Sequence, residues 1–267
     1  MTAARIGRLA FLLYTVVFFA VMLLPLLIMS GTAFNTSAYP RLIPFEGPTL
    51  EWFAAIADDR QLMEGLSTSI KIGILTVLLA LPLGFAGALL LQQVTGSLRR
   101  WLYVVLIAPI LTPGVVIGIG TVIFWRDFTR ASGLGFFYDG IVLTVFAQTS
   151  FIAAYCMLIF TARLDRLDLA LEEAARDLGA SPTQSFFHVL LPHMAPAIAA
   201  AAFIAFLSSV ENYNATTFAI LSDKTLTTVL YGKVRLGISP AISALAVLMI
   251  LATLGVIALA WLLRKKK

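Results

Sequence analysis

A chain of 267 residues that is 60% hydrophobic and only 12% charged carries about half the charge of an ordinary soluble domain, and its mean hydropathy is +0.95. Its apolar residues come in long blocks instead of periodic stripes, which excludes a soluble globular fold and implies a membrane protein. Cys156 is the only cysteine, so an intrachain disulfide and a cysteine metal cluster are excluded, and the net charge of +5 is explained by membrane orientation without a nucleic-acid partner.

Six blocks, 9–30, 66–91, 101–125, 141–161, 195–221 and 241–263, are near or above the roughly 20 residues needed to cross a bilayer. The expected fold is all-α, a single transmembrane domain over residues 1–267 with six membrane-spanning helices. Arg5 and Arg8 before the first block also suit a secretory signal. The apolar run is longer than a signal usually has, and no A-x-A site follows, so an uncleaved first span is expected. The loop 32–65 is too polar to cross, and "TLEWFAAIADD" within it reads as a short interfacial helix anchored by Trp52 and Phe53. Asn35-Thr36-Ser37 matches a glycosylation acceptor, a pattern too common by chance to use.

The third block, "LIAPILTPGVVIGIGTVIFW", contains Pro109 and Pro113, which predict a kinked helix. Gly114 and Gly118 give it a small-residue face for close packing, compatible with lining a pathway. If the N-terminus is cytoplasmic, the inner loops receive Arg5, Arg8, Arg99, Arg100, Arg163, Arg166, Arg176, Arg264 and Lys265 to Lys267. The outer loops receive the shorter set Arg41, Arg60, Arg126, Arg130, Lys224, Lys233 and Arg235. Both termini are therefore expected in the cytoplasm.

The insert 163–192 contains "LEEAARDLGASPTQSFFHVLLP" and falls on the cytoplasmic side, between the fourth and fifth spans. Leu164, Leu167, Leu171, Ala175 and Leu178 recur at helical spacing, with Asp165 and Asp168 near the helix start. Gly179 suits a left-handed terminating position, Ser181-Pro182 restarts the chain, and Pro192 is expected to end a second short helix, "TQSFFHVLL". Ala174, Ala175 and Gly179 leave a shallow surface that invites another protein. An amphipathic helix touching only headgroups is the alternative, opposed by Asp165, Asp168, Glu172, Glu173 and Asp177, which anionic lipid repels.

Glu173-Ala174-Ala175, Gly179 after three residues, and Val189-x-Leu191-Pro192 after nine more resemble the EAA motif of ABC-importer transmembrane subunits, with valine where the family usually has isoleucine. The resemblance implies a bacterial type I importer permease in the inner membrane. In that family the insert is the coupling helix that seats in a cleft of the ATP-binding subunit. Glu173, Ala174, Ala175 and Gly179 would form that contact, with Glu172, Arg176 and Asp177 flanking it. The implied partners are a second homologous permease chain, two ATP-binding subunits, an external solute-binding protein and the bilayer. Gly232-Lys233 is followed by Val234 and lacks the phosphate-cradling pattern, so ATP and Mg are expected on the partner subunits and no cofactor on this chain. No His/Asp/Ser constellation suggests an enzyme, since His188 and His193 both fall at the insert.

The fifth block holds "FLSSVENYNATTFAIL". An acid inside a span is costly and normally faces a bundle interior or water, which makes Glu211, with Asn212, Tyr213 and Asn214, a candidate substrate pathway. The alternative puts Glu211 near the external surface, paired with Lys224 or Lys71. "ENYNATTF" and "KVRLGISPAISALA" look like the smaller permease of spermidine/putrescine importers, which implies a polyamine solute. Permeases for iron, sulfate, phosphonates or amino-acid-like solutes share the same body. An ion-driven secondary transporter would favour inverted repeats, and the sequence displays none.

Overall fold

The computed structural model describes residues 3–237 and 239–264; Lys265, Lys266 and Lys267, on which part of the orientation argument rests, lie outside them. In chain order the helices are α1 (Ala3–Thr32), α2 (Glu51–Asp58), α3 (Arg60–Gln93), α4 (Gly96–Leu111), α5 (Gly114–Ser132) and α6 (Gly140–Leu164). There follow α7 (Leu169–Asp177), α8 (Pro182–Ser185), α9 (Leu191–Val210), α10 (Thr216–Ala219), α11 (Leu226–Leu236) and α12 (Pro240–Arg264). Among the described residues, four helices are long and apolar enough to cross a membrane: α1, α3, α6 and the run Pro182–Val210. The bent pair α4 and α5 makes a fifth if counted as one span, and α12 offers the shorter apolar stretch Pro240–Gly255.

The chain divides into two compact units, residues 1–63 with 230–267, and residues 64–229. In the first, α12 packs against α1 and α2. Thr32 Oγ1 donates to Ser243 Oγ across the α1–α12 contact at 2.9 Å. The loop before α2 is organised by fully buried Asn35. Its Nδ2 donates to the carbonyls of Arg41 (2.9 Å) and Pro44 (3.2 Å), its Oδ1 accepts from Glu46 N, and its own carbonyl accepts from Trp52 Nε1. One asparagine thus satisfies backbone groups that a polar loop would otherwise leave to water. The predicted short helix is present as α2, with Phe53 against Phe34 at 5.3 Å between ring centroids. Lys233 Nζ on α11 pairs with Asp59 Oδ2 at 2.5 Å.

The second unit is built on α3, α6 and α9. Ala80, Ala88 and Leu91 of α3 meet Ile152, Cys156, Met157 and Phe160 of α6 and Met194, Ala197, Ala201 and Ala205 of α9. Alanine at every fourth position makes one low ridge along α9, which lets it approach α6 closely.

Four expectations change. The third block is not one kinked helix but two, α4 and α5, bent by 100°. Pro109 lacks a donor in the last turn of α4, and Thr112, preceding Pro113, is pushed to extended backbone (φ −83°, ψ 131°). The fifth block is not helical to residue 221: α9 ends at Val210, and the chain turns through 211–215 before α10. In the insert, α6 runs on to Leu164, so that Leu164 is core and Asp165 lies at the end of α6 rather than at the start of the next helix. Pro192 does not end the second insert helix, which continues from Pro182 to Val210. A single π-turn over Phe186–Leu190 precedes the proline, with Leu191 N–H bonded to the carbonyl of Phe186, five residues back, and this wider turn admits the proline ring without a break.

Candidate functional site

Two places in the second unit gather the residues singled out in the sequence. The first is the turn between α9 and α10. Glu211 caps the C-terminus of α9 and is exposed. It lines a cleft of about 390 Å³ together with Asn212, Tyr213, Asn214, Ser208 and the aromatic rings of Phe151 and Tyr155 on α6. Glu211 makes no ion pair with Lys71 or Lys224 among the described residues. Asn212 has a different task from its neighbours. Its Oδ1 accepts from Ala215 N (3.1 Å), Thr216 N (3.3 Å) and Thr216 Oγ1 (3.3 Å), so it caps the short α10 and holds the turn in shape. Glu211, Tyr213, Asn214 and Ser208 complete the polar lining.

The glycine face of α5 belongs to this site. A Cβ at Gly118 would lie 2.5 Å from the carbonyl oxygen of Ala215, and one at Gly114 would lie 3.0 Å from Asn214 Cβ. The two glycines therefore let the turn sit directly on α5. Beneath it is a buried polar group the sequence reading missed: Gln148 on α6, bonded to Thr76, Ser209 and Thr216. The available signal was a lone amide inside an apolar span, which must find a partner.

The second place is the corner of the insert. The Asp168 carboxylate accepts from Ala170 N and caps α7. Gly179 closes the helix at φ +83°, donating to the carbonyl of Arg176 (2.9 Å) while Ala180 N donates to that of Ala175 (3.0 Å), a paired left-handed stop. Ser181 and Gln184 then form a reciprocal capping box with Pro182 at the first helical position. Ala174, Arg176, Asp177 and Glu173 are all exposed, and Ala175 is half-buried. The side chain of Glu172 lies outside what is described. Leu171 and Leu178 of the predicted apolar stripe are open to solvent, Leu178 at 89%. Exposed Leu178 edges a shallow hollow of about 390 Å³, lined also by Ala175, Gly179, Ala180, His188 and Val189. Arg163 Nε donates to the carbonyl of His193 at 3.1 Å and ties the end of α6 to the start of the α9 run, so the corner is braced against the core.

Residues 80–267 match the family described as binding-protein-dependent transport system inner membrane component. The chain belongs to this family. It is 30% identical over 244 residues to the putrescine transport system permease protein PotI of Escherichia coli (strain K12), covering 90% of this chain and 85% of that protein. It is 31% identical over 209 residues to the spermidine/putrescine transport system permease protein PotC homolog of Mycoplasma genitalium, covering 76% and 71%. Escherichia coli (strain K12) PotC is 24% identical over 98% of this chain. The fold is similar to that of a bacterial ABC transporter involved in the import of the acidic polysaccharide alginate, with TM-score 0.71, 18% identity and coverage of 94% of this chain and 92% of that one. As a permease of this family the chain is a multi-pass inner-membrane transport component of an ABC importer and not an enzyme.

Proposed function

We propose that the chain forms part of the path by which a polyamine crosses the membrane, and that the turn 211–215 presents the polar lining of that path. The observation that carries this is the break in the fifth block: unwinding at Glu211 brings a carboxylate, a phenol and an amide to one cleft edged by Phe151 and Tyr155. A carboxylate attracts an ammonium group, and the faces of the aromatic rings favour the same charge. The names of the putrescine and spermidine/putrescine permeases support the same solute class.

The insert corner is the coupling element in this reading. Glu173, Ala174, Ala175 and Gly179 contact an ATP-binding subunit, flanked by Glu172, Arg176 and Asp177. ATP and Mg sit on two such subunits, and nucleotide-driven closure moves the corner, switching the spans between inward- and outward-open states. A second homologous permease completes the pathway, and an external binding protein delivers the solute. The whole chain works as one permease domain that crosses the membrane six times with both termini cytoplasmic, α4 with α5 and α12 serving as the third and sixth crossings.

Whole-cell uptake of labelled putrescine tests the site. Glu211→Gln keeps the shape and removes the charge. Uptake falls about tenfold, the factor matching roughly 1.4 kcal/mol, while the complex still assembles and hydrolyses ATP. Undiminished uptake would remove Glu211 from the pathway, and uptake of an anion instead would remove the polyamine.

A further inference from the structure

Gln148 is 1% exposed in the middle of α6, where the helix backbone needs no side-chain help. Burying an amide is unfavourable unless each of its polar atoms is bonded, and here they are. Oε1 accepts from Ser209 Oγ and from Thr76 Oγ1 (3.4 Å). Nε2 donates to the Ser209 carbonyl (3.3 Å) and to Thr216 Oγ1 (2.8 Å). Ser209 lies in the last turn of α9 and Thr216 is the first residue of α10, so one side chain bridges both edges of the break. The Thr216 hydroxyl passes the bond on, donating to Asn212 Oδ1 inside the turn (3.3 Å). Thr76, from α3, anchors the far side of the amide.

We infer that Gln148 is a positioning residue of the translocation pathway: it clamps the two ends of the broken fifth block so that Glu211, Tyr213 and Asn214 stay open to the cleft. A continuous helix through 211–215 would rotate these groups around its axis by about 100° per residue and scatter them. The clamp prevents this without touching solute. Bonded in series, the Gln148–Thr216–Asn212 chain strengthens each member in a water-poor interior. This rests on the pathway reading of the cleft, but its geometry stands apart from the identity of the solute.

The test uses the complete complex with its partner subunits. Asn214→Cys in a Cys156→Ala background reports the turn through its labelling rate with a small maleimide. Gln148→Met fills the same volume without the amide, and Thr216→Val removes the hydroxyl that joins the amide to α10 and the turn while leaving the bonds of Gln148 to Ser209 and Thr76. Both raise the labelling rate about tenfold, the factor that loss of one to two net hydrogen bonds allows. In the background without Asn214→Cys, both raise the half-saturating concentration for putrescine uptake more than they lower its maximal rate. Thr216→Val decides the matter if Gln148→Met fails to assemble. A lower unfolding midpoint with unchanged labelling and half-saturation in both variants means that the network only stabilises the fold, and the inference is wrong. If labelling speeds up while Glu211→Gln leaves uptake untouched, the clamp stands and the pathway reading falls. If Glu211→Gln abolishes uptake while labelling stays at the parent rate, the pathway stands and the clamp falls.

Discussion

Gly179 holds a backbone conformation that L side chains adopt at a cost of roughly 1–2 kcal/mol, and a Cβ there would meet open space. Gly179→Asp therefore leaves the fold of the corner strained but formed, and adds bulk and charge at the proposed coupling contact. The expected result is loss of putrescine uptake together with weakened co-purification of the ATP-binding subunit; normal values for both would contradict the coupling assignment. Asp59 supplies a prediction in pH. The Lys233 ammonium bonded to its carboxylate holds its pKa below the ordinary 3.8. Because the folded value lies below the unfolded one, the pair's contribution is complete above about pH 4 and fades as pH falls through the lowered value. The pair is partly exposed, so Lys233→Met lowers stability by only about 0–1 kcal/mol at pH 7. In detergent, the gap in unfolding midpoint between parent and variant shrinks at pH 3; a gap that widens with acid would reverse the sign. Gly179, Asp168 and Ser181 were legible because caps act over three or four residues of sequence. Gln148 was not, since its partners stand 61, 68 and 72 positions away and only the fold brings them together.

Hydropathy located the spans at the scale of whole elements but averaged across their interruptions. Pro109 and Pro113 announced a kink, yet the 100° bend comes from two prolines acting four residues apart on both sides of Thr112, which a pattern of apolar residues does not encode. The break at Glu211 was hidden for a related reason. Ala215, Phe218, Ala219 and Ile220 continue the apolar run, and the break is held by the side chain of Asn212 at the start of α10 and by Gln148 on another helix. Conversely, Pro192 looked like a stop, and a π-turn absorbed it. The glycine face of α5 was legible as a packing face, and the structure adds its partner. Gly118→Leu forces side-chain atoms into the Ala215 carbonyl, with a cost of about 1–3 kcal/mol for overpacking. Thermal unfolding in detergent falls accordingly and putrescine uptake is impaired. An unchanged midpoint would show that the turn does not press on α5.

Across the whole molecule, α1 leaves its apolar side chains exposed along its length within its own unit, as does much of the outward surface of α3. Surfaces of this kind are made for lipid or for another apolar chain, in keeping with a multi-pass permease. The basic residues predict an orientation in which Arg99 faces the cytoplasm and Glu46 the outside. Cysteines at these positions in a Cys156→Ala background distinguish the sides in intact cells. A membrane-impermeant thiol reagent labels Glu46→Cys and spares Arg99→Cys, whereas the opposite pattern would invert the topology. The central claim, that ATP hydrolysed on partner subunits drives a cationic amine through this chain, is tested most directly in proteoliposomes. These hold the chain with its partner permease and ATP-binding subunits, with ATP and Mg supplied on the ATPase side and the binding protein on the other. The account predicts putrescine accumulation that requires ATP, is cut about tenfold by Glu211→Gln, and does not extend to sulfate. Accumulation without ATP, or accumulation of sulfate in place of putrescine, would contradict it.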